Sequence, residues 1–225
     1  MIKSGLQCIG FIMDGNRRWA KAHNLPTLEG HQKGGEVMSD SIEWVREAGI
    51  PHAVYYAFST ENWQRSETEV SYLMNLFSIE LERQLKEKNI RVRIIGRRED
   101  FTTELQQQMD ELERKGEECK DAEVTIWIAL SYGGRAELVE AVNKAISVGE
   151  KISEESFAKL LWTSDMPDPD IIVRTGGEHR LSNFLTWSSV YSELYFINTH
   201  WPALTKNDFN DILIEYETRE RRRGI

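Results

Sequence analysis

The 225-residue chain lacks most of what would place it among secreted, membrane-embedded or nucleic-acid-binding proteins. It has only two cysteines, Cys8 and Cys119. That is too few for a disulfide framework, and the spacing fits no zinc finger or ribbon, so both are read as thiols of a reducing compartment. No window of 18 uncharged apolar residues occurs, which excludes a membrane-spanning helix. The apolar stretch Gly5 to Met13 contains Gln7, has no small-residue cleavage site and runs into Asp14-Gly15-Asn16. It reads as a strand and not as a signal peptide. Positive charge is in deficit, 28 Lys and Arg against 37 Asp and Glu for a net −9, which argues against nucleic acid or a polybasic membrane surface as partner. The expectation is a cytoplasmic protein whose membrane contact is peripheral at most. Prolines number five, with no repeat, low-complexity tract or linker, so residues 1–225 are expected to form one domain.

Hydrophobic residues make up 40% and charged residues 29% of the chain, enough apolar material for a sizeable core. Short β-rich runs alternate with segments of helical period. The runs are Cys8 to Met13, Ala53 to Phe58, Val92 to Ile95, Val124 to Leu130, Ile171 to Val173 and Leu194 to Ile197. Between them, Met38, Ile42 and Val45 mark a helical face closed by Gly49 and Pro51. Val70, Leu73, Met74, Phe77, Leu81 and Leu85 predict a longer helix over Glu67 to Lys88. Leu105, Met109 and Leu112 form a third stripe; Leu138, Val139, Val142 and Ile146 a fourth. Phe157, Leu160 and Leu161 predict a short fifth helix, and Phe209, Ile212, Leu213 and Tyr216 the last. This alternation predicts an α/β fold, a mostly parallel central sheet of about six strands flanked by helices.

Ligands of such sheets bind beyond the carboxyl ends of the strands, where this sequence places polar and glycine-rich residues. Despite the acidic total, Arg17, Arg18, Arg65, Arg135, Arg174 and Arg180 all fall in strand-end loops. Guanidinium forks match phosphate geometry, and glycine-rich turns expose backbone N–H groups to anions. An anionic small molecule with two or more phosphates fits this excess; solvated or salt-bridged arginines are the plainer alternative. Gly30-His31-Gln32-Lys33-Gly34-Gly35-Glu36 has Walker-like glycine spacing without the Lys-Ser/Thr ending, and no Gly-x-Gly-x-x-Gly follows the first strand. Asp14 reads as an Mg²⁺ ligand or as an Asx-turn or cap. His31, taken as a loop residue beside glycine, reads as a proton-transfer group or a surface histidine. Ser66-x-x-Glu69 fits a capping box, with the role of Glu69 left open.

Taken together, these stretches resemble the cis-prenyltransferases, of which undecaprenyl diphosphate synthase is the familiar member. The resemblance lies in Asp14-Gly15-Asn16-x-Arg18-Trp19, Gly30-His31, Phe58-Ser59-x-Glu61-Asn62-Trp63-x-Arg65 and Tyr132-Gly133-Gly134-Arg135. Arg174-Thr175-Gly176-Gly177-Glu178-x-Arg180-Leu181-Ser182-Asn183-Phe184 and Tyr191-x-Glu193-Leu194-Tyr195-Phe196 continue it in the family's order. It implies an undecaprenyl diphosphate synthase-like fold with an apolar tunnel, and condensation of isopentenyl diphosphate with an allylic diphosphate, farnesyl or similar, to a Z-polyprenyl diphosphate. By the same resemblance, Asp14 helps to hold Mg²⁺, while Gly15, Asn16, Arg17, Arg18 and Trp19 surround the allylic diphosphate. Asp14, His31, Ser59 and Asn62 lie at the reacting groups, beside Trp63 and Arg65. Arg174, Arg180 and Ser182 grip isopentenyl diphosphate, and Glu193 joins the metal site or its subunit contacts, as does His179. Arg222 and Gly224 belong to a C-terminal Arg-x-Gly that reaches a partner's site, implying a homodimer.

The sequence departs from the family's pattern at Arg17, where glycine is common, and at Thr27, where an arginine is usual. Arg17 is read as partly replacing that charge. A short segment from Glu67 to Asn89 and a bulky Trp127 suggest a short product. The rival readings are a catalytically silent prenyltransferase-like scaffold subunit and a nucleotide-recognising α/β regulator.

Overall fold

The computed structural model describes residues 5–84, 89–149 and 151–219. Six strands, β1 (Cys8–Ile12), β2 (His52–Ser59), β3 (Ile90–Ile95), β4 (Val124–Tyr132), β5 (Ile171–Arg174) and β6 (Glu193–Phe196), form one sheet in the order β3-β4-β2-β1-β5-β6. Every neighbouring pair is parallel. The helices are α1 (Asn16–Ala22), α2 (Thr27–Glu47), α3 (Glu67–Gln84), α4 (Thr103–Glu118), α5 (Gly134–Val148), α6 (Glu154–Ala158) and α7 (Lys206–Thr218).

Burial on both faces follows from this topology, and β1, β4 and β5 are buried throughout. Side chains of β4 alternate, as the pleat requires. Ile126, Ile128 and Leu130 join the larger core with Phe11, Tyr55 and Phe58. Trp127 and Ala129 face the opposite cluster with Cys8, Val54 and Phe184. Cys8 is fully buried, and the backbone N–H groups of Gln7 and Cys8 donate to Asp170 Oδ2 at 2.7 and 3.1 Å.

The structure corrects three expectations. His31 lies not in a loop but in the second turn of α2. The nearby glycines are packing residues: a Cβ on Gly30 would lie 2.2 Å from the Asn16 carbonyl oxygen, and one on Gly34 2.3 Å from Asn16 Oδ1. They let α1 seat against α2. The stripe assigned to α5 is rotated. Ala141 and Ala145 are buried, whereas Val139, Val142 and Ile146 are 60, 44 and 72% exposed. Small alanines allow the close approach, and a pattern weighted by side-chain size passes over them. Trp127 points to the sheet face opposite the cavity described below, so it sets no limit on a ligand there.

Candidate active site

Strand β1 has β2 on one flank and β5 on the other, so the chain reverses direction through the sheet at this seam. Ligand crevices of α/β sheets form beyond the strand ends at such a point. Asp14 follows β1, and Arg174 ends β5. Arg174 Nη2 donates to Asp14 Oδ2 at 2.8 Å, while its Nη1 donates to Ser182 Oγ at 2.7 Å and to the Arg180 carbonyl at 2.5 Å. Arg18 Nη2 donates to Asp14 Oδ1 at 3.1 Å and its Nη1 to the Gly176 carbonyl at 2.7 Å. Thr175 Oγ1 donates to the Asp14 carbonyl at 2.7 Å. Gly15 takes a left-handed φ of 107°, and a Cβ there would come within 2.7 Å of the His200 ring, so both conformation and space call for glycine.

The second wall comes from the end of β2, where the pairing with β4 shifts register around Phe58 and re-aims the following residues. Ser59 and Asn62 cap the 3₁₀ turn Thr60–Gln64 reciprocally, the Ser59 N–H donating to Asn62 Oδ1 at 3.2 Å. Asn183 Nδ2 donates to Glu61 Oε1 at 2.9 Å, tying this turn to the loop that carries Ser182. Glu69 accepts from Arg65 Nη1 at 3.0 Å, lies 3.1 Å from His31 Nε2, and has Arg17 at 4.0 Å. The Ser66 half of the expected capping box is present as a 3.4 Å bond from the Glu69 N–H; the Glu69 side chain serves His31 and Arg65.

Between these walls opens a cavity of about 620 Å³. Asp14, Asn16, His31, Ser59, Asn62, Arg65, Arg174 and Ser182 all line it, and its inner part is formed by Met38, Leu73, Leu76, Phe77 and Leu130. Tyr56 also lines it and donates to the Tyr132 carbonyl at 3.2 Å. Of the expected α3 stripe, Leu73, Phe77 and Leu81 line the cavity, joined by Leu76 and Glu80, while Val70 and Met74 do not; Leu105, Met109 and Leu112 of α4 take no part in the lining.

Electrostatics at the mouth is dominated by the Asp14 clasp. Burial disfavours the Asp14 carboxylate most strongly, but the bonds and charges of Arg174 and Arg18 together outweigh it and hold its pKa below the ordinary value. Burial lowers the pKa of His31 against the pull of Glu69, and the charges of Arg65 and Arg17 add to the lowering. His31 is therefore the neutral imidazole at pH 7. The Arg174 side chain is 5% exposed, and its buried Nε–H has no hydrogen-bond partner. A phosphate oxygen is the kind of acceptor such a donor lacks.

Other sequence-derived candidates lie outside the cavity wall. Arg17, Arg18 and Arg180 stand at the rim, Arg180 paired with Glu178 at 2.5 Å. Trp19 stacks on His23 with ring centroids 4.3 Å apart. Trp63 donates from Nε1 to Ser131 Oγ at 2.9 Å and packs edge-on against Phe58, bracing the 59–65 loop. The Arg135 N–H donates to Asn183 Oδ1 at 2.8 Å, and Arg135 does not line the cavity. Glu193 starts β6, paired with Ile171 at the start of β5, and so lies about 10 Å down the strands from the Arg174 end. It accepts from Arg219 Nη1 at 2.7 Å, and a single chain does not bring it to Asp14. Arg222 and Gly224 lie outside the described residues. Sequence reasoning gave no role to Tyr56, Glu61, Thr175 or Asn183; the last three stood within quoted motifs, and their hydrogen bonds single them out.

The family model described as "Putative undecaprenyl diphosphate synthase" matches residues 12–224. The chain belongs to the undecaprenyl diphosphate synthase family of prenyltransferases. It is 46% identical to the isoprenyl transferase of Thermotoga maritima over 226 residues, covering 97% of this chain and 96% of that one. The isoprenyl transferase of Fusobacterium nucleatum is 44% identical over 221 residues, covering 96% of this chain and 94% of that one. Among solved structures, lavandulyl diphosphate synthase from Lavandula x intermedia, in complex with dimethylallyl diphosphate, superposes with a TM-score of 0.91 at 29% identity, covering 98% of each chain. A "probable undecaprenyl diphosphate synthase" from Campylobacter jejuni gives 0.83 at 32% identity, covering 98% of this chain and 99% of that one. Membership makes this protein a transferase of isoprenoid synthesis. Among the described residues, no helix is long and apolar enough to cross a membrane.

Proposed function

We propose that this protein is a cis-prenyl diphosphate synthase that condenses isopentenyl diphosphate with an allylic diphosphate, farnesyl or similar, to give a Z-polyprenyl diphosphate. The observation that carries this reading is the Asp14 carboxylate held between Arg18 and Arg174 at the mouth of a cavity whose inner wall is apolar. That arrangement suits a molecule with a diphosphate head and a hydrocarbon tail. Each hydrogen bond from arginine to a charged oxygen contributes about 1.5–3 kcal/mol. Burying the five carbons of one isoprene unit contributes about 3–4 kcal/mol at roughly 0.8 kcal/mol per carbon. Head and tail therefore carry comparable weight, and the cavity is read as the start of the tunnel that holds the tail.

In this reading Arg174, Arg180 and Ser182 bind the diphosphate of isopentenyl diphosphate, and Asn16, Arg17 and Arg18 bind that of the allylic substrate, with Gly15 and Trp19 beside them. Negative charge builds on the departing diphosphate as its bond to the allylic carbon breaks. The guanidinium donors, preorganised by Asp14, Gly176 and Glu69, stabilise that charge more in the transition state than in the ground state. The double bond of isopentenyl diphosphate attacks the allylic cation, and a proton then leaves the new chain. His31, neutral and held by Glu69, is placed with Ser59 and Asn62 on the cavity wall, where that proton can be received.

Asp14 is the residue that would hold Mg²⁺. Among the described residues no three His, Cys, Asp or Glu gather into a metal site. One carboxylate at a phosphate-binding mouth nevertheless fits a cation usually held by one or two carboxylates plus substrate phosphates. Mg²⁺ bound there would neutralise charge developing on the diphosphate. Homodimerisation, with Glu193, Arg222 and Gly224 near the subunit boundary, is supported by the outer edge of β6 and by exposed Val190 and Tyr191. A cytoplasmic location, with the lipid product passed to a membrane, completes the reading.

The test is incubation of the protein alone with radiolabelled isopentenyl diphosphate, farnesyl diphosphate and Mg²⁺, where extended, extractable product is expected. Its absence favours the silent scaffold subunit. A thermal shift with ATP and none with farnesyl diphosphate favours the nucleotide-recognising regulator.

A further inference from the structure

One charged side chain stands in the part of the cavity otherwise built for hydrocarbon. Glu80 lines it beside Leu76, Phe77 and Leu81, one turn beyond Leu76 and Phe77 on the same face of α3. From the other side of the gap, a Cβ built on Gly35 of α2 would meet Glu80 Oε1 at 3.5 Å. The carboxylate thus reaches from α3 across to α2. Its one ion pair among the described residues is a long one, 3.5 Å from Arg83 Nη1, and its side chain is 26% exposed. Burial raises its pKa most strongly, Arg83 opposes this and the charge of Glu36 adds to it, the sign of a carboxylate in a partly dry wall.

Its depth follows from both helices. Glu69, which holds His31 and Arg65 at the entrance, and Glu80 are about 16 Å apart along the axis of α3 at 1.5 Å per residue, but the carboxylate leans towards Gly35, the chain neighbour of the Gly34 that packs on Asn16, and so stands nearer the mouth than that span. We infer that Glu80 is a product-length determinant: a tail growing past Leu73, Leu76 and Phe77 must pack against, and dehydrate, the carboxylate that spans α2 and α3.

This inference rests on the prenyl-synthase reading of the same site. Up to that depth the wall is Leu73, Leu76 and Phe77, and every added carbon gains burial. At Glu80 the next unit removes water from an ionised oxygen and offers no hydrogen bond in return, which disfavours the longer chain. Glycine at position 35 adds no apolar side chain to shield the oxygen from the tail.

The experiment compares the wild-type protein with Glu80→Gln and Glu80→Ala, given dimethylallyl, geranyl or farnesyl diphosphate, labelled isopentenyl diphosphate and Mg²⁺. Products are dephosphorylated and sorted by length, and each length is expressed as a fraction of total product so that changes in overall rate drop out. Circular dichroism checks folding, which substitution of this partly exposed side chain should leave intact. In both variants the ratio of products longer than the wild-type's main species to that species should rise on the order of tenfold. Glu80→Gln keeps the volume and removes only the charge. An unchanged distribution in both variants overturns the inference, and so does lengthening in Glu80→Ala alone, which would assign the limit to size. A wild-type protein that extends none of the three primers overturns the prenyl-synthase reading itself, and the inference falls with it.

Discussion

Arg174 and Asp14 lie 160 positions apart in the chain, yet their side chains meet at 2.8 Å across the seam between β5 and β1. The bond fixes a guanidinium that is 5% exposed and a carboxylate that is 29% exposed, so two charged groups at the mouth of the cavity are held in place by the fold itself.

Asp14→Ala should fold and yet lose nearly all turnover, at least the 10²–10³-fold typical of removing one preorganised electrostatic group. Arg174 retains Ser182 and the Arg180 carbonyl, so the cost in stability should stay near about 1–3 kcal/mol. Because the folded pKa of Asp14 lies below the ordinary aspartate value, its contribution is fully present above that value. It disappears as pH falls from there through the folded pKa. Urea melts of wild type and variant should differ by a constant amount above about pH 5 and converge in acid. Loss of the fold at neutral pH would return Asp14 to a purely structural role.

Glu69→Gln tests the link between α3 and His31. Glu69 raises the histidine's pKa against burial, so removing its charge should move the His31 titration, followed by proton NMR, to lower pH. Arg65 loses its ion pair in the same variant, and kcat should fall about tenfold, less than the roughly 10²–10⁴-fold of losing a general acid–base group itself. An unmoved His31 titration would show that the 3.1 Å contact carries no electrostatic weight.

Arg17→Gly should raise the KM for the allylic diphosphate while leaving that for isopentenyl diphosphate nearly as it was. Arg17 is 61% exposed and 4.0 Å from Glu69, so the effect should be about three- to tenfold and shrink with added salt. Equal KM values in wild type and variant would end the idea that Arg17 stands in for charge missing at Thr27.

Two glycines five residues apart on α2 should respond with opposite signs. Gly30→Ala places a methyl 2.2 Å from a backbone oxygen, and overpacking of about 1–3 kcal/mol should exceed the roughly 1 kcal/mol gained in helix propensity. Gly35→Ala meets only the Glu80 carboxyl, Oε1 at 3.5 Å and Cδ at 3.8 Å, so the propensity gain should remain and the Tm should rise. Differential scanning calorimetry of the two variants decides it; a stabilised Gly30→Ala would mean that α1 is free to shift.

The six strands were legible because each is a β-rich run bounded by turn residues, and six of the seven helices by their apolar stripes, whereas α1, with no stripe of its own, was not. The mouth was legible for a different reason: its residues directly follow strands, and a parallel sheet brings all those ends to one rim. Three further things were hidden. Local pattern could not place His31 in a helix, because Gly30, Gly34 and Gly35 read as a loop, and only the approach of Asn16 explains the first two. Hydrophobic period misjudged α5, whose buried face is alanine. Glu80 looked like one more solvated glutamate on α3, because nothing in the spacing of Leu76, Phe77 and Leu81 reveals that α2 lies opposite with a glycine.

The two thiols differ in a way that is useful at the bench. Burial, reinforced by the charges of Asp170 and Asp168, pushes the Cys8 thiol far up, so it stays protonated beneath the sheet and does not alkylate. Cys119 is partly accessible and ends α4 just before β4 begins, on the floor of the molecule farthest from the mouth. Maleimide dyes should therefore attach at one position, giving a singly labelled protein whose fluorescence reports tumbling and self-association without disturbing the chemistry.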